Sequence, residues 1–180
     1  MLESNSIILR NIENKDLNNL LYWRNLEKFR KHFREYRELN MTQQKKWFQK
    51  IVKGDKNTIM FSIVSKKNNE LLGACGLCYI DWVNKNADLS LYIGKNRVYI
   101  DNKIAPEATN ILLNYGFSIL GLHRIWTEIY DFDKKKKKLY KKIGFKVDGI
   151  HKETYWYGRK WHDSIFLSIL SRNFNYKKKN

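Results

Sequence analysis

Proline occurs once in this chain of 180 residues and cysteine twice, and acidic residues number 18 against 35 basic ones. With one proline, nine glycines and apolar residues spread evenly, nothing resembles a linker or an internal repeat, so a single domain over 1–180 is expected. No stretch approaches the roughly 20 apolar residues that a membrane-spanning helix needs. The first ten residues hold only the short apolar group Ile7-Ile8-Leu9, without a basic region before it, which is unlike a secretory leader. A cytoplasmic protein without a membrane partner is expected. Cys75 and Cys78 lie inside an apolar run that reads as a strand, on opposite faces and without further ligands at metal-binding spacing. Buried, reduced thiols and no metal are expected.

What is present is a core: 43% hydrophobic and 14% aromatic residues argue against intrinsic disorder. The net charge of +17 is unevenly placed. Residues 1–133 carry 20 basic and 15 acidic side chains, whereas residues 134–180 carry 15 and 3, with a basic tail expected from about residue 173. Of the basic residues 26 are Lys, in a chain also rich in Asn and Ile, which is what a nucleotide-biased genome produces without selection for binding. The other reading is attraction of a polyanionic cofactor, RNA or an acidic surface.

Periodicity gives the elements. Ile7 to Arg10 reads as a strand, followed by a helix through Leu17, Leu20, Leu21 and Trp23 with Asn14 or Asp16 as cap, and a second helix capped by Thr42. Met60–Val64, Leu71–Ile80 and Ala87–Ile93 form an antiparallel meander. Pro106 stands in the first turn of a helix carrying Ala108, Ile111, Leu112, Tyr115 and Ile119, where its missing N–H costs nothing. His123–Tyr130 is a strand, Asp133 caps a short helix ending at Gly144, and two strands flank Gly158-Arg159-Lys160. The fold class is α+β: a mostly antiparallel mixed sheet with about four helices.

This order, with Ala105-Pro106-Glu107-Ala108, Leu112-Leu113-Asn114-Tyr115-Gly116-Phe117, Leu120-Gly121-Leu122-His123-Arg124 and Leu139-Tyr140-Lys141-Lys142-Ile143-Gly144-Phe145, resembles the GNAT superfamily of N-acetyltransferases. Within it the chain resembles the ribosomal-protein-type branch, as does Trp23-Arg24-Asn25. The resemblance implies acetyl-CoA as co-substrate and a primary amine as acceptor: a protein N-terminus, an amino sugar or another small amine, with a polyamine disfavoured by the basic charge. A helix N-terminus, with unpaired N–H groups and a positive dipole end, suits the coenzyme's pyrophosphate. Asn102, Lys103, Ile104, Ala105 and Pro106 are the residues implied. Relatives show Q/R-x-x-G-x-G/A here, whereas this chain has Ile100 first, Lys103 for the middle glycine and Ala105 last. The loop from Lys95 to Lys103 is therefore expected to run differently, with the Lys103 charge replacing a backbone contact. The rival class is a GNAT-like scaffold that has lost catalysis and binds RNA or an acidic partner.

The resemblance also places the chemistry. Main-chain groups of Leu91, Tyr92 and Ile93 would hold the pantetheine arm and thioester, and Asp133 stands for an Asn that bonds that arm. Tyr140 stands where relatives carry the acid that protonates the leaving sulfur, a task a phenol of pKa about 10 can perform for a thiol near 8.5. Asp88, at the start of the strand that splays from its neighbour, is the candidate base, with Glu35 second. Arg34, Glu35, Tyr36 and Arg37 link the first two helices and are candidates for acceptor contact. His151 and His162 read as structural, and Lys134 to Lys138 as the solvated side of a helix.

Overall fold

The computed structural model describes residues 2–175, so the lysines expected in a basic tail, 177–179, lie outside the described residues. Strands β1 (Leu2–Glu3) and β2 (Ile7–Asn11) precede three helices, α1 (Leu17–Asn25), α2 (Glu27–Arg30) and α3 (Met41–Val52). The meander β3 (Ile59–Ser65), β4 (Leu71–Asp81) and β5 (Asn86–Ile93) leads to α4 (Ile104–Asn114), β6 (Arg124–Tyr130), α5 (Lys134–Ile143), β7 (Lys146–Tyr157) and β8 (Lys160–Leu170). All eight strands form one sheet in the order β1-β2-β3-β4-β5-β6-β8-β7. Every pair is antiparallel except β5 and β6. The α+β expectation holds, with β1 and α2 added to it. Both additions are too short to carry a hydrophobic period.

The parallel pair matters most. β5 meets β6 only at Asn86, Ala87 and Asp88, opposite Arg124, Ile125 and Trp126. Beyond Asp88 the two strands part, while β6 continues along β8 to Tyr130. Thr127 Oγ1 donates to Leu89 O across the opening at 3.2 Å.

α4 lies against β2, β4 and β5. Ala105, Ala108, Ile111 and Leu112 recur at helical spacing and are buried, each large side chain contributing roughly 1.5–3 kcal/mol. The helix begins at Ile104, two residues before Pro106, and continues past Asn114 as a π-turn over Tyr115–Ile119. An added Cβ at buried Gly116 would stand 2.6 Å from Ile125 Cδ1, so glycine lets this turn pack on β6 without moving the end of that side chain. Gly121, at φ 65°, ends the segment.

Several caps differ from expectation. α3 is capped by Asn40, not Thr42: Asn40 Oδ1 accepts from Gln43 N at 2.9 Å and Gln43 Oε1 accepts from Asn40 N at 2.8 Å. Asp16 makes no side-chain cap on α1, and its carboxylate turns inward. It accepts from Arg10 at 2.7 and 2.8 Å, from Ser62 Oγ at 2.8 Å and from Glu13 N at 2.9 Å, tying β2, β3 and the start of α1 together. Asp133 does cap α5, accepting from Lys136 N at 3.0 Å, and Gly144 at φ 112° ends that helix. After β8 the Phe174 ring packs on Phe117, with centroids 5.4 Å apart.

Candidate active site

A cleft of about 520 Å³ opens beside the point where β5 and β6 separate. The Trp23-Arg24-Asn25 triplet shows how sequence builds its wall. Trp23 is buried against Gly94, where an added Cβ would stand 1.8 Å from the indole. Asn25 fastens the segment after α2, donating to Leu39 O at 2.7 Å and accepting from Leu39 N at 3.0 Å. Arg24, between them, lines the cleft with its guanidinium 4.8 Å from the Phe33 ring.

Of the residues expected to contact the acceptor, Arg34 and Glu35 line the cleft; Tyr36 and Arg37 do not. Arg34 bridges the parting strands, donating through Nη1 to Asp88 on β5 and through Nε to Glu128 on β6, both at 2.7 Å. Tyr36 is 71% exposed. Arg37 holds Glu35 through Nε at 2.8 Å and Nη2 at 2.7 Å. That contact and the Arg37 amide pull the Glu35 carboxyl down to about 2, which makes it a poor proton acceptor.

Asp88 has the opposite character. It is buried, and burial pushes its pKa up against the pull of Arg34. A carboxylate raised in this way, at the edge of a cleft, is suited to take a proton. Tyr140 lies wholly inside, its hydroxyl beside Thr127 but without a well-formed hydrogen bond among the described residues. Burial, and then Asp133, hold its proton more firmly than in a free phenol. Cys75 and Cys78 are free, with Cys75 buried and Cys78 half-buried at the cleft. Burial and Asp88 push the Cys78 thiol up to about 12, leaving it unreactive.

Main chain alternates along β5, so Leu89, Leu91 and Ile93 face the opening toward β6 while Tyr92 turns its peptide groups to β4 and its side chain into the cleft. Leu91 thus turns its main chain to the opening, and Tyr92 does not. Ile93 N already donates to Tyr99 O at 2.8 Å. In the loop after β5, Asn96 and Arg97 are both left-handed, at φ 57° and 55°, and bring Tyr99 back onto the strand. The Tyr99 ring stacks on His32 at 4.2 Å, with Lys136 Nζ 5.0 Å from the same ring. His32 Nδ1 lies 3.0 Å from Asp133 Oδ2. Lys136 is buried, which corrects the reading of 134–138 as wholly solvated; burial lowers its pKa against the pull of Asp133 and Asp88.

Asn102 and Lys103 are exposed, and Lys103 precedes α4 without a side-chain cap. Asp101 supplies that cap instead, accepting from Ile104 N at 3.0 Å and Ala105 N at 2.7 Å. Pro106 has no N–H to offer. Sequence reasoning missed Asp101, Tyr99, His32 and Lys136. An Asp three residues before a helix start is a cap signal, and Lys136 is four residues from Tyr140, on one helical face.

The central parallel strands thus separate beside a raised carboxylate, and a buried phenol without a well-formed partner among the described residues lies next to Thr127, which spans the gap. Residues 6–146 match the profile of the acetyltransferase (GNAT) domain, and the chain belongs to that family. An uncharacterized N-acetyltransferase p20 of Bacillus licheniformis is 29% identical over 63% of this chain and 63% of its own length. The spermidine N(1)-acetyltransferase of Escherichia coli K12 is 22% identical over 59% of this chain and 56% of its own. The chain thus spans less than two thirds of these curated relatives. The crystal structure of spermidine N-acetyltransferase from Vibrio cholerae, in complex with CoA and spermine, shares the fold at a TM-score of 0.84 and 22% identity, covering 93% of this chain and 96% of that one. Among the described residues no helix is long and apolar enough to cross a membrane.

Proposed function

We propose that this chain, read as one domain, is an acetyl-CoA-dependent N-acetyltransferase that moves an acetyl group to a primary amine by direct attack. Its motifs support a place beside the ribosomal-protein-type branch of the family. The observation that carries the reading is the opening between β5 and β6 after Asp88, bordered by Asp88 and by the unsatisfied Tyr140 hydroxyl. The residues fit the co-substrate: Leu91 turns free main chain to the opening, and Ile104 and Ala105 offer amide donors at the start of α4 once Asp101 releases them. Lys103 adds a positive charge beside them.

In this reading Asp88 accepts the proton of the attacking amine, whose nitrogen forms the new C–N bond as the C–S bond breaks. Tyr140 gives its proton to the departing sulfur. A buried phenol suits that task because it stays protonated until a thiolate appears. Acetyl-CoA at 100 times its Kd should stabilise the protein by about 2.7 kcal/mol. For a chain of this size that is a rise in Tm of about 5–10 °C, accompanied by amine-dependent release of CoA thiol. Absence of both at millimolar acetyl-CoA would overturn the proposal.

A further inference from the structure

The cleft's charges are unequally engaged. Three carboxylates line it, and each is held by an arginine: Asp88 and Glu128 by Arg34, Glu35 by Arg37. Lys50, on the same wall, pairs with Asp55 at 3.0 Å. Arg24 is different. Its guanidinium rests over Phe33 and makes no ion pair with any described residue, although it stands close enough to Glu35, Cys78 and Tyr92 to bias their ionisation. Gln44, also on the cleft wall, is 4% exposed, and its carboxamide makes no hydrogen bond to a described residue. Facing the cleft, that carboxamide keeps both its donor and its acceptor for a polar ligand group.

From this juxtaposition of an unpaired Arg24 with an unpartnered Gln44, in a cleft whose carboxylates are all spent, we infer that the acceptor is an amine that also carries an anionic group, a carboxylate or a phosphate. The inference rests on the acetyltransferase reading and names the substrate class of the same site. Arg24 would seat the anion, since guanidinium matches the two oxygens of either group and its donors have no competitor. A polyamine fits badly. After its reacting nitrogen loses a proton it keeps two or more ammonium groups, and the cleft has no free carboxylate to receive them.

Four acceptors separate the cases: glucosamine, glucosamine 6-phosphate and muramic acid, which keep one ring amine while adding nothing, a phosphate or a carboxylate, and spermidine. CoA thiol release should show kcat/KM at least about tenfold higher for one of the two anionic amines than for glucosamine, as one charge-assisted contact provides. Arg24→Gln should bring that ratio toward unity, and Arg24→Lys should keep part of it. The better of the phosphate and carboxylate arms identifies the group. Spermidine as the best acceptor, no preference for either anionic amine, or a preference that survives Arg24→Gln would overturn the inference. Should no acceptor release thiol, the acetyltransferase reading fails, and calorimetric titration of the same four amines judges the inference separately. Tighter binding of an anionic amine, lost in Arg24→Gln, supports it; binding of spermidine alone, or of none, overturns it.

Discussion

Replacing Asp101 with Ala should make the folded protein weaker and its grip on CoA tighter. In the structure the Asp101 carboxylate takes the Ile104 and Ala105 amides, at 3.0 and 2.7 Å, the donors assigned above to the pyrophosphate. A side-chain cap is worth about 0.5–2 kcal/mol to a helix, so Asp101→Ala should lower Tm by about 1–8 °C at 2–4 °C per kcal/mol. CoA must displace the same carboxylate, so its removal returns a similar free energy to binding and also relieves repulsion between two anions. A gain of about 1–2 kcal/mol corresponds to a Kd roughly 5–30-fold smaller. Calorimetric titration with CoA, beside thermal unfolding without ligand, measures both signs on one preparation. Asp101→Asn keeps an acceptor oxygen without the charge and should fall between. If Asp101→Ala binds CoA no more tightly than the parent, the pyrophosphate does not go to the start of α4.

Asp88→Asn should lower kcat by about 10²–10⁴ while leaving CoA affinity nearly intact, because an amide cannot take the proton; an unchanged kcat across pH 6–9 would remove Asp88 as the base. Tyr140→Phe keeps the buried ring and deletes a hydroxyl that lacks a good partner, so Tm should stay level or rise while kcat falls by about a hundredfold. A loss below about threefold would make Tyr140 a packing residue. Asp16→Ala strands Arg10 and Ser62 and should cost about 3 kcal/mol, measured by urea unfolding. Burial raises the pKa of Asp16, but Arg10, the Glu13 amide and Ser62 outweigh it and leave the carboxyl lowered. Its contribution is therefore full above the unfolded value near 3.9 and disappears as pH falls through the folded one, so the parent and Asp16→Ala should converge in stability toward acid pH.

Long periodic segments were legible from sequence alone. Ala108, Ile111 and Leu112 announce α4, whereas Tyr115 and Ile119, read into the same period, fall in the π-turn and Ile119 is exposed; Asp133 with Gly144 bracket α5 as expected. What stayed hidden depends on where loops return. Nothing in residues 95–103 repeats, so neither the left-handed pair Asn96 and Arg97 nor the arrival of Tyr99 beside His32 follows from spacing. Lys136 was concealed by composition: among five consecutive lysines the one that faces inward is told only by helix phase, four residues before the buried Tyr140. Asp88 and Arg34, 54 positions apart, meet because β5 and β6 separate at that point, a tertiary event with no local signature. The candidate base and acid were therefore found from a motif, while the arginine that engages that base was found as an acceptor contact only.

The wedge formed by Tyr99 also sets a clock. Its carbonyl occupies Ile93 N–H and its ring lies against His32 and Lys136, so a co-substrate that takes Ile93 N–H must first displace Tyr99. Entry of the co-substrate then follows a first-order rearrangement of the empty protein. The observed association rate would climb with acetyl-CoA concentration and level off at the opening rate, and the measured affinity would be the intrinsic one reduced by the fraction of molecules already open. A side chain that weakens the stack, such as Leu in place of Tyr99, would raise the plateau before it changed anything at the reacting atoms.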